Sequence, residues 1–376
     1  MIDIQVPFNR PYISAQEIKF LQMVLESGHM SGDGPFTKLC NQWFKDNLKS
    51  TALLTHSCTA ALEMAAILAN VGPGDEIIMP SYTFVSTANA FVLRGATPVF
   101  IDIRPDTLNI NEKLIESAIT PKTKVIVPVH YAGVACEMDA IMEIAEKYNL
   151  IVIEDAAQGI MASYKGRALG TIGHFGTYSF HETKNIISGE GGALLVNDLS
   201  YFERAEIIRE KGTNRNKFFR GEVDKYTWVD IGSSFLPSEI IAALLWSQLQ
   251  NAREITDNRL KIWSHYHHGL EKAEINGLLR RPKMLDSCTH NAHMYFVLLS
   301  SLQRRSDLIE YLRTNGVRSV FHYVPLHSSP AGKKFGRVHG EMKVTNDISE
   351  RLLRLPMWVN LSTDQIDQII SLIVSF

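Results

Sequence analysis

Residues 151–159, Ile-Val-Ile-Glu-Asp-Ala-Ala-Gln-Gly, decide how this chain is read. Three β-branched residues in a row suit a short strand covered on both faces, because a half-exposed strand would alternate apolar and polar positions. The strand ends in two acids, and small residues follow. In an open parallel sheet the carboxyl ends of the strands face the ligand crevice, so Asp155 is expected to emerge where a cofactor can lie. Taken alone, the segment has a simpler explanation, since Asp after a strand is common as a helix cap.

Similar apolar runs stand on either side, at residues 52–55, 76–79, 98–101, 125–128, 176–180 and 193–196. Helix-like stretches at 59–68, 112–118 and 138–148 fall between them. This alternation predicts an α/β fold built on a mostly parallel, seven-stranded sheet over roughly residues 30–245. A long helical pattern at 238–266 leads out of it, followed by strand-like runs at 293–299 and 317–322 and helical ones at 306–314 and 363–374. The expected organisation is a large domain of residues 1–248, including the N-terminal segment, and a smaller α+β domain of residues 249–376. Ser14 is read as the cap of an amphipathic helix over residues 14–27.

With 376 residues, 45% hydrophobic and 21% charged, the chain has the composition of a globular protein large enough for two cores. Its net charge of -2 excludes a whole-chain pull toward nucleic acid or a membrane surface, so an anionic partner needs a local site. Cys40, Cys58, Cys136 and Cys288 lie far apart without metal-ligand spacing, which argues against a metal site and for a reducing compartment. The opening MIDIQVPFNRPYIS lacks the basic start and apolar core of a signal peptide, and no apolar run is long enough to span a membrane. A cytoplasmic protein is expected.

Two further segments carry chemistry. In Ser179-Phe-His-Glu-Thr-Lys184-Asn-Ile-Ile-Ser-Gly-Glu-Gly-Gly192 a strand end leads to a lysine and then to glycines. A lysine held at a pocket there becomes nucleophilic when burial or neighbouring cations lower its pKa; a solvated surface lysine is the plainer reading. In Thr55-His-Ser-Cys-Thr59-Ala-Ala-Leu-Glu63 a strand runs into a hydroxyl-bearing turn and a helix start, where free N–H groups and the helix dipole bind anions. Simple capping explains it as well. With neither a Walker lysine nor GxGxxG, a nucleotide-binding loop or a nicotinamide oxidoreductase fits poorly.

Together these segments resemble the sugar aminotransferases of the fold-type-I pyridoxal-phosphate (PLP) class, the family named for the DegT, DnrJ, EryC and StrS proteins. The resemblance runs from near residue 7 to the C-terminus. It is closest to the branch that makes TDP-4-amino-4,6-dideoxygalactose for enterobacterial common antigen, through GDEIIMPSYTFVSTANAFVLRGA, EDAAQG, SFHETKN, ISGEGGA, FFRGEVDKYTW and VFHYVPLH. It implies PLP as cofactor, with Lys184 as the Schiff-base lysine and proton carrier. It implies Asp155 on the pyridine nitrogen, Gln158 supporting the ring, and Phe84 rather than Tyr82 stacked on it. The backbone of Cys58 and Thr59 and the hydroxyl of Ser179 are expected to hold the phosphate.

One departure stands out. Where many relatives carry a GYNYRMSE-like segment whose Asn reaches a neighbouring subunit's phosphate, residues 232–239 read Gly-Ser-Ser-Phe-Leu-Pro-Ser-Glu, so Ser234 takes the amide's place. The basic stretch 211–226, with Lys211, Arg215, Lys217, Arg220 and Lys225, could grip a diphosphate; a solvated loop explains these charges equally. His322, Tyr323 and His327 fall where relatives place substrate-facing residues, though a packed strand end explains them nearly as well. His181, two residues after Ser179 and three before Lys184, is read as facing the sugar. The implied reaction moves an amino group from L-glutamate to a nucleotide-linked keto-sugar, expected to be TDP-4-keto-6-deoxyglucose aminated at C4, in a homodimer with shared active sites. Amination to the C4 epimer or at C3, and a PLP-binding sensor without catalysis, are the alternatives. Relatives that dehydrate sugars carry histidine where this chain has Lys184.

Overall fold

The computed structural model describes residues 4–376, so the first residues of the N-terminal segment lie outside it. All seven expected runs are strands: β1 (Thr51–Thr55), β2 (Glu76–Pro80), β3 (Thr97–Ile101), β4 (Thr123–Ile126), β5 (Ile151–Asp155), β6 (Phe175–Ser179) and β7 (Gly192–Val196). The chain reaches β5 from helix Met138–Tyr148, which stops where Asn149 turns left-handed (φ 53) and returns its N–H to Ala145. Ile151 then pairs with Val125 of β4 and Ile153 with Phe175 of β6, both in parallel. Only β7 runs the other way, antiparallel to β1 and β6.

The sheet is wider than expected by one strand. Arg337–Val338, far along the C-terminal half, pairs in parallel with β3 and gives an eight-stranded sheet. Its Arg337 is locked to Glu76 at the foot of β2 by two hydrogen bonds of 2.9 and 2.7 Å. Pairing across the fold, rather than local pattern, makes this strand. Two apolar layers cover the sheet, one including Phe44, Tyr178 and Phe180, the other Met64, Met79 and Leu194.

The helical pattern of residues 238–266 is two helices, Glu239–Gln250 and Ala252–Gly269, broken at Asn251 (φ −102, ψ 9). Beyond it Tyr295–Leu298, Val320–Phe321 and Leu352–Leu355 form a three-stranded antiparallel sheet with Leu352–Leu355 in the middle. Helix Leu302–Thr314 starts four residues earlier than the apolar pattern suggests, where Ser301 caps it, and Thr363–Ser375 starts where expected, behind a capping box of Ser362 and Gln365. Their apolar faces share a core with Trp263, Tyr266 and Leu353. We propose a division near 248/249, within helix Glu239–Gln250, that several pairings cross: Val6 bridges to Val317, Arg337–Val338 joins the large sheet, and Cys288–Thr289 pairs with Ser163–Tyr164.

At the N-terminus the helix is Glu17–Ser27, capped by Gln16 rather than Ser14. Ser14 instead gives its N–H and hydroxyl to the Glu17 carboxylate, at 2.9 and 2.7 Å. Among the described residues, no helix is long and apolar enough to cross a membrane.

Candidate active site

The two acids that end β5 part company because successive side chains of a strand point to opposite faces. Glu154 turns into the protein, fully buried, and accepts from the N–H groups of Gly170, Ile172 and Gly173 and from His130 Nε2. Asp155 turns the other way, into a cleft of about 580 Å³. Its carboxylate is held there by Thr87 Oγ1 at 2.6 Å and the Ala157 N–H at 3.1 Å, and Thr87 is steadied by Thr83 Oγ1 at 2.8 Å. Two donors fix the position and orientation of this carboxylate in the cleft. Asp155 is therefore more than a cap, although it does bond a neighbouring N–H as a cap would.

Lys184 reaches the same cleft from the turn after β6. Backbone bonds lace this turn: Lys184 N–H to His181, Glu182 to Gly189 and Ser188 to Phe180. The next residue, Asn185, is buried and anchored on the Asn291 carbonyl at 2.8 Å and on His293 Nδ1 at 3.0 Å. Burial is the chief cause that lowers the Lys184 pKa; Arg354 adds to it, while Cys58 and Asp155 oppose. The amine is thus prepared to act as a nucleophile and base.

The third wall is the turn between β1 and helix Cys58–Leu68. Ser57 caps the helix through the Ala60 N–H at 3.1 Å, which leaves first-turn N–H groups facing the cleft. Thr59 bonds Ser86 across it at 2.7 Å, and Ser179 closes the wall from the end of β6. Gly192 explains the glycines after Lys184: a Cβ there would sit 2.4 Å from Cys58 N, so only glycine lets β7 pass so near the turn. An anion-binding turn, an amine, a fixed carboxylate and the apolar surfaces of Phe84 and Val129 meet in one cleft. That donor set fits PLP: phosphate at residues 57–59 and Ser179, aldehyde at Lys184, ring nitrogen at Asp155.

Of the two candidate aromatics, Phe84 lines the cleft and is 58% exposed. Tyr82 is buried behind it, donating to the His322 carbonyl and packed on Tyr131 and Tyr323. Gln158 accepts from the Ala132 N–H at 2.6 Å and donates to Tyr323 at 3.3 Å, so it couples the β5 end to Tyr323. His181, His322 and Tyr323 line the cleft; His181 bonds Thr183 at 2.9 Å, and Tyr131 meets His322 Nδ1 at 3.0 Å. Burial holds the His322 ring well below its ordinary pKa. His327 lies apart, bonded to Ser81 at 2.7 Å.

The remaining sequence candidates do not join this cleft in their own chain. Lys211 and Arg215 lie 3.4 and 3.7 Å from Glu210, and Arg220 is bonded to Glu206 at 2.9 Å and to Glu222 at 2.7 Å. Lys225 and Ser234 are exposed. The Glu of that last segment does something the sequence did not suggest: buried Glu239 accepts from the N–H groups of Gly34, Phe36 and Thr37 and so caps helix Pro35–Leu48.

Sequence reasoning missed Arg354, His293, Phe8, Thr87 and Glu190, which also line the cleft. Arg354 left a signal, a cation inside the apolar run Leu352-Leu-Arg354-Leu355. For Thr87 the signal is weaker, a hydroxyl one helical turn from Thr83.

A sheet whose strand ends gather a lysine, a fixed carboxylate and an anion-binding turn suits a PLP-dependent enzyme such as an aminotransferase. Comparison with known proteins narrows this further: residues 11–374 match the DegT/DnrJ/EryC1/StrS aminotransferase family, and the chain belongs to it. It is 33% identical over 374 residues to the spore coat polysaccharide biosynthesis protein SpsC of Bacillus subtilis, covering 97% of this chain and 95% of that one. Among solved structures it resembles the aminotransferase TlmJ of Streptoalloteichus hindustanus, with 29% identity, TM-score 0.89 and coverage of 100% and 98% of the two chains. It also resembles the PLP form of Spr1654 from Streptococcus pneumoniae, with 28% identity, TM-score 0.90 and 98% of both chains covered. The family uses PLP and aminates sugars.

Proposed function

We propose that the protein transfers the amino group of L-glutamate to C4 of TDP-4-keto-6-deoxyglucose, giving TDP-4-amino-4,6-dideoxygalactose and 2-oxoglutarate. The observation that carries the transfer chemistry is the meeting of Lys184, Asp155 and the Ser57–Thr59 turn in one cleft. The choice of sugar rests on the resemblance of segments such as SFHETKN and VFHYVPLH. That SpsC serves a polysaccharide pathway agrees with it.

PLP, when bound, supplies an electrophilic aldehyde and a ring that takes up the electron pair left when a C–H bond beside the amine is broken. The chain's residues do the rest. Lys184 Nζ would hold the aldehyde at rest, take the proton from the donor carbon and later deliver one to the sugar carbon. Asp155, fixed in place by Thr87 and the Ala157 N–H, would face the ring nitrogen and hold its proton. The helix Cys58–Leu68 directs its free N–H groups at the phosphate. Phe84 and Val129, which line the cleft, would offer apolar surface to the ring.

Because residues 211–226 and Ser234 stand outside their own cleft, we assign them to the cleft of a partner subunit in a homodimer. There Ser234 would donate to the phosphate, and Lys211, Arg215, Arg220 and Lys225 to the diphosphate. Incubating the protein with the keto-sugar and L-glutamate and solving the product by NMR tests the proposal. An axial C4 amine agrees with it; an equatorial amine or a C3 amine contradicts the sugar assignment, and no glutamate-dependent product contradicts the activity.

A further inference from the structure

The stretch Asn291-Ala292-His293, just ahead of the small-sheet strand Tyr295–Leu298, reaches both chemical walls of the cleft. The Asn291 side-chain amide donates to the carbonyls of Gln158 and Ile160, at 2.7 Å each, and so grips the segment that follows Asp155. The Asn291 carbonyl accepts from Asn185 Nδ2 at 2.8 Å, and His293 Nδ1 meets Asn185 Oδ1 at 3.0 Å. These two bonds grip the residue that follows Lys184. Ala292 makes the turn between them in the left-handed region, at φ 50. From the other side, Arg259 donates to the carbonyls of Ala292 and His293 at 3.0 and 2.7 Å. Asn185, Arg259, Asn291 and His293 are all buried, at most 5% exposed.

Proton positions in this stretch follow from groups that have no choice. A backbone carbonyl only accepts, so the side of the Asn185 amide that meets the Asn291 carbonyl is its NH₂. The amide oxygen therefore faces His293. That oxygen also only accepts, so the proton of this bond sits on His293 Nδ1. Burial favours the neutral ring, whose Nε2 is then left without a proton. Because His293 lines the cleft, two tasks are open to it: a substrate contact through Nε2, or support of Lys184 through Nδ1. The observed bond speaks for the second. It goes to the chain neighbour of the reacting amine, within the same stretch that holds the Asp155 end.

Resting on the role proposed above for Lys184, we infer that His293 is a positioning residue: its Nδ1–H, bonded to Asn185, holds the Lys184 turn in register with the Asp155 end. A lysine amine rides on a flexible stem, so it can serve two carbons in turn only if the backbone beneath it stays put. The hairpin bonds of the Lys184 turn keep the turn folded, yet they leave it free to shift as a body. Asn185 and His293 remove that freedom by tying it to the segment that Asn291 holds.

The test separates the two ring nitrogens. His293→Asn puts an amide N–H where Nδ1 stands, and His293→Gln puts one near Nε2 instead. In the PLP-loaded protein His293→Gln should slow the half-reactions with L-glutamate and with the amino-sugar by the same factor, roughly 30-fold, because Lys184 serves both halves. Both KM values should stay near the parent's. His293→Asn should recover most of the lost rate. Asn185→Ala should match His293→Gln, and the double variant should be no slower than Asn185→Ala alone, as for two groups acting through one bond. A readout that needs no turnover is the tautomer itself, followed by nitrogen NMR in the cofactor-free protein with isotope-labelled histidines. The signal missing from His293→Asn should be that of an Nδ1–H ring. An Nε2–H ring, a His293→Gln variant as fast as the parent, an Asn variant no better than Gln, or a loss confined to one half-reaction would overturn the assignment. If the parent showed no half-reaction with L-glutamate, the proposed function would fail, and the tautomer would still decide this bond.

Discussion

Lys184 lies on the turn that leaves β6 and Lys225 on the loop between helices Arg215–Phe219 and Glu239–Gln250, and the fold treats them oppositely. The turn carrying Lys184 is closed by backbone bonds and anchored through Asn185, so the amine is delivered to one place and partly stripped of water. Lys225 stands exposed on a stretch whose apolar residues are also bare: Phe219 is 65% exposed and Trp228 76%. Its neighbours Arg215 and Arg220 are engaged with the acids of their own chain. A side chain built into a strand end is defined by its own chain, whereas the job of a charged loop depends on what comes to meet it. The first can be assigned from one chain's geometry; the second must be assigned by experiment.

Removing Lys184 should have the largest effect. Lys184→Ala should lower turnover on the order of 10⁴-fold, the upper range for losing a positioned acid–base group, while leaving thermal unfolding near that of the parent. Normal turnover would remove Lys184 from its catalytic role. Asp155→Asn should cost on the order of 10²-fold in turnover through lost electrostatic support, read in steady-state assays with the keto-sugar saturating. Thr87→Val keeps Asp155 but removes its 2.6 Å donor. A fall of about tenfold is expected, in line with one hydrogen bond to a charged group; an undiminished rate would show that Asp155 needs no support from that helix.

The loop should respond more weakly and more selectively. Changing Arg220 to Ala should raise the KM for the sugar nucleotide roughly fivefold, leave the half-reaction with L-glutamate alone, and move stability by less than about 0.5 kcal/mol, as for exposed ion pairs. Equal effects on both substrates would sever the loop from the diphosphate.

The pH profile sharpens the contrast further. With its pKa lowered from the ordinary 10.5, chiefly by burial, Lys184 becomes a free amine at lower pH than an unburied lysine does. PLP capture by the cofactor-free protein should therefore rise with pH and level off below 10.5. The same shift destabilises the fold at pH below the lowered pKa, and this penalty fades as pH rises toward the unfolded value. Replacing Arg354 by Gln should move the plateau to higher pH, because its charge is one of the causes of the shift.

Much of this architecture was legible because burial on both faces writes itself as continuous apolar runs; β5 and its six companions were all visible that way. The break at Asn251 was not, since the apolar spacing continues across it. Nor was Arg337–Val338, which is a strand only because β3 and Glu76 receive it. At the site, Asp155, Lys184 and the Ser57–Thr59 turn sit at strand ends, where sequence order predicts position. Arg354 and His293 arrive from the small sheet more than a hundred residues later, and only packing brings them to Lys184. The two acids of β5 show the limit most clearly: composition does not distinguish Glu154 from Asp155, and the face of the strand does.

The most direct measurement is to reduce the yellow PLP-loaded protein with borohydride, digest it and find the labelled peptide by mass spectrometry. The phosphopyridoxyl group should sit on Lys184 alone, in Ser179-Phe-His-Glu-Thr-Lys184, and Asp155→Asn should shift the absorption of the unreduced protein. Label on another lysine, or a colourless protein that takes up no PLP, would contradict the account.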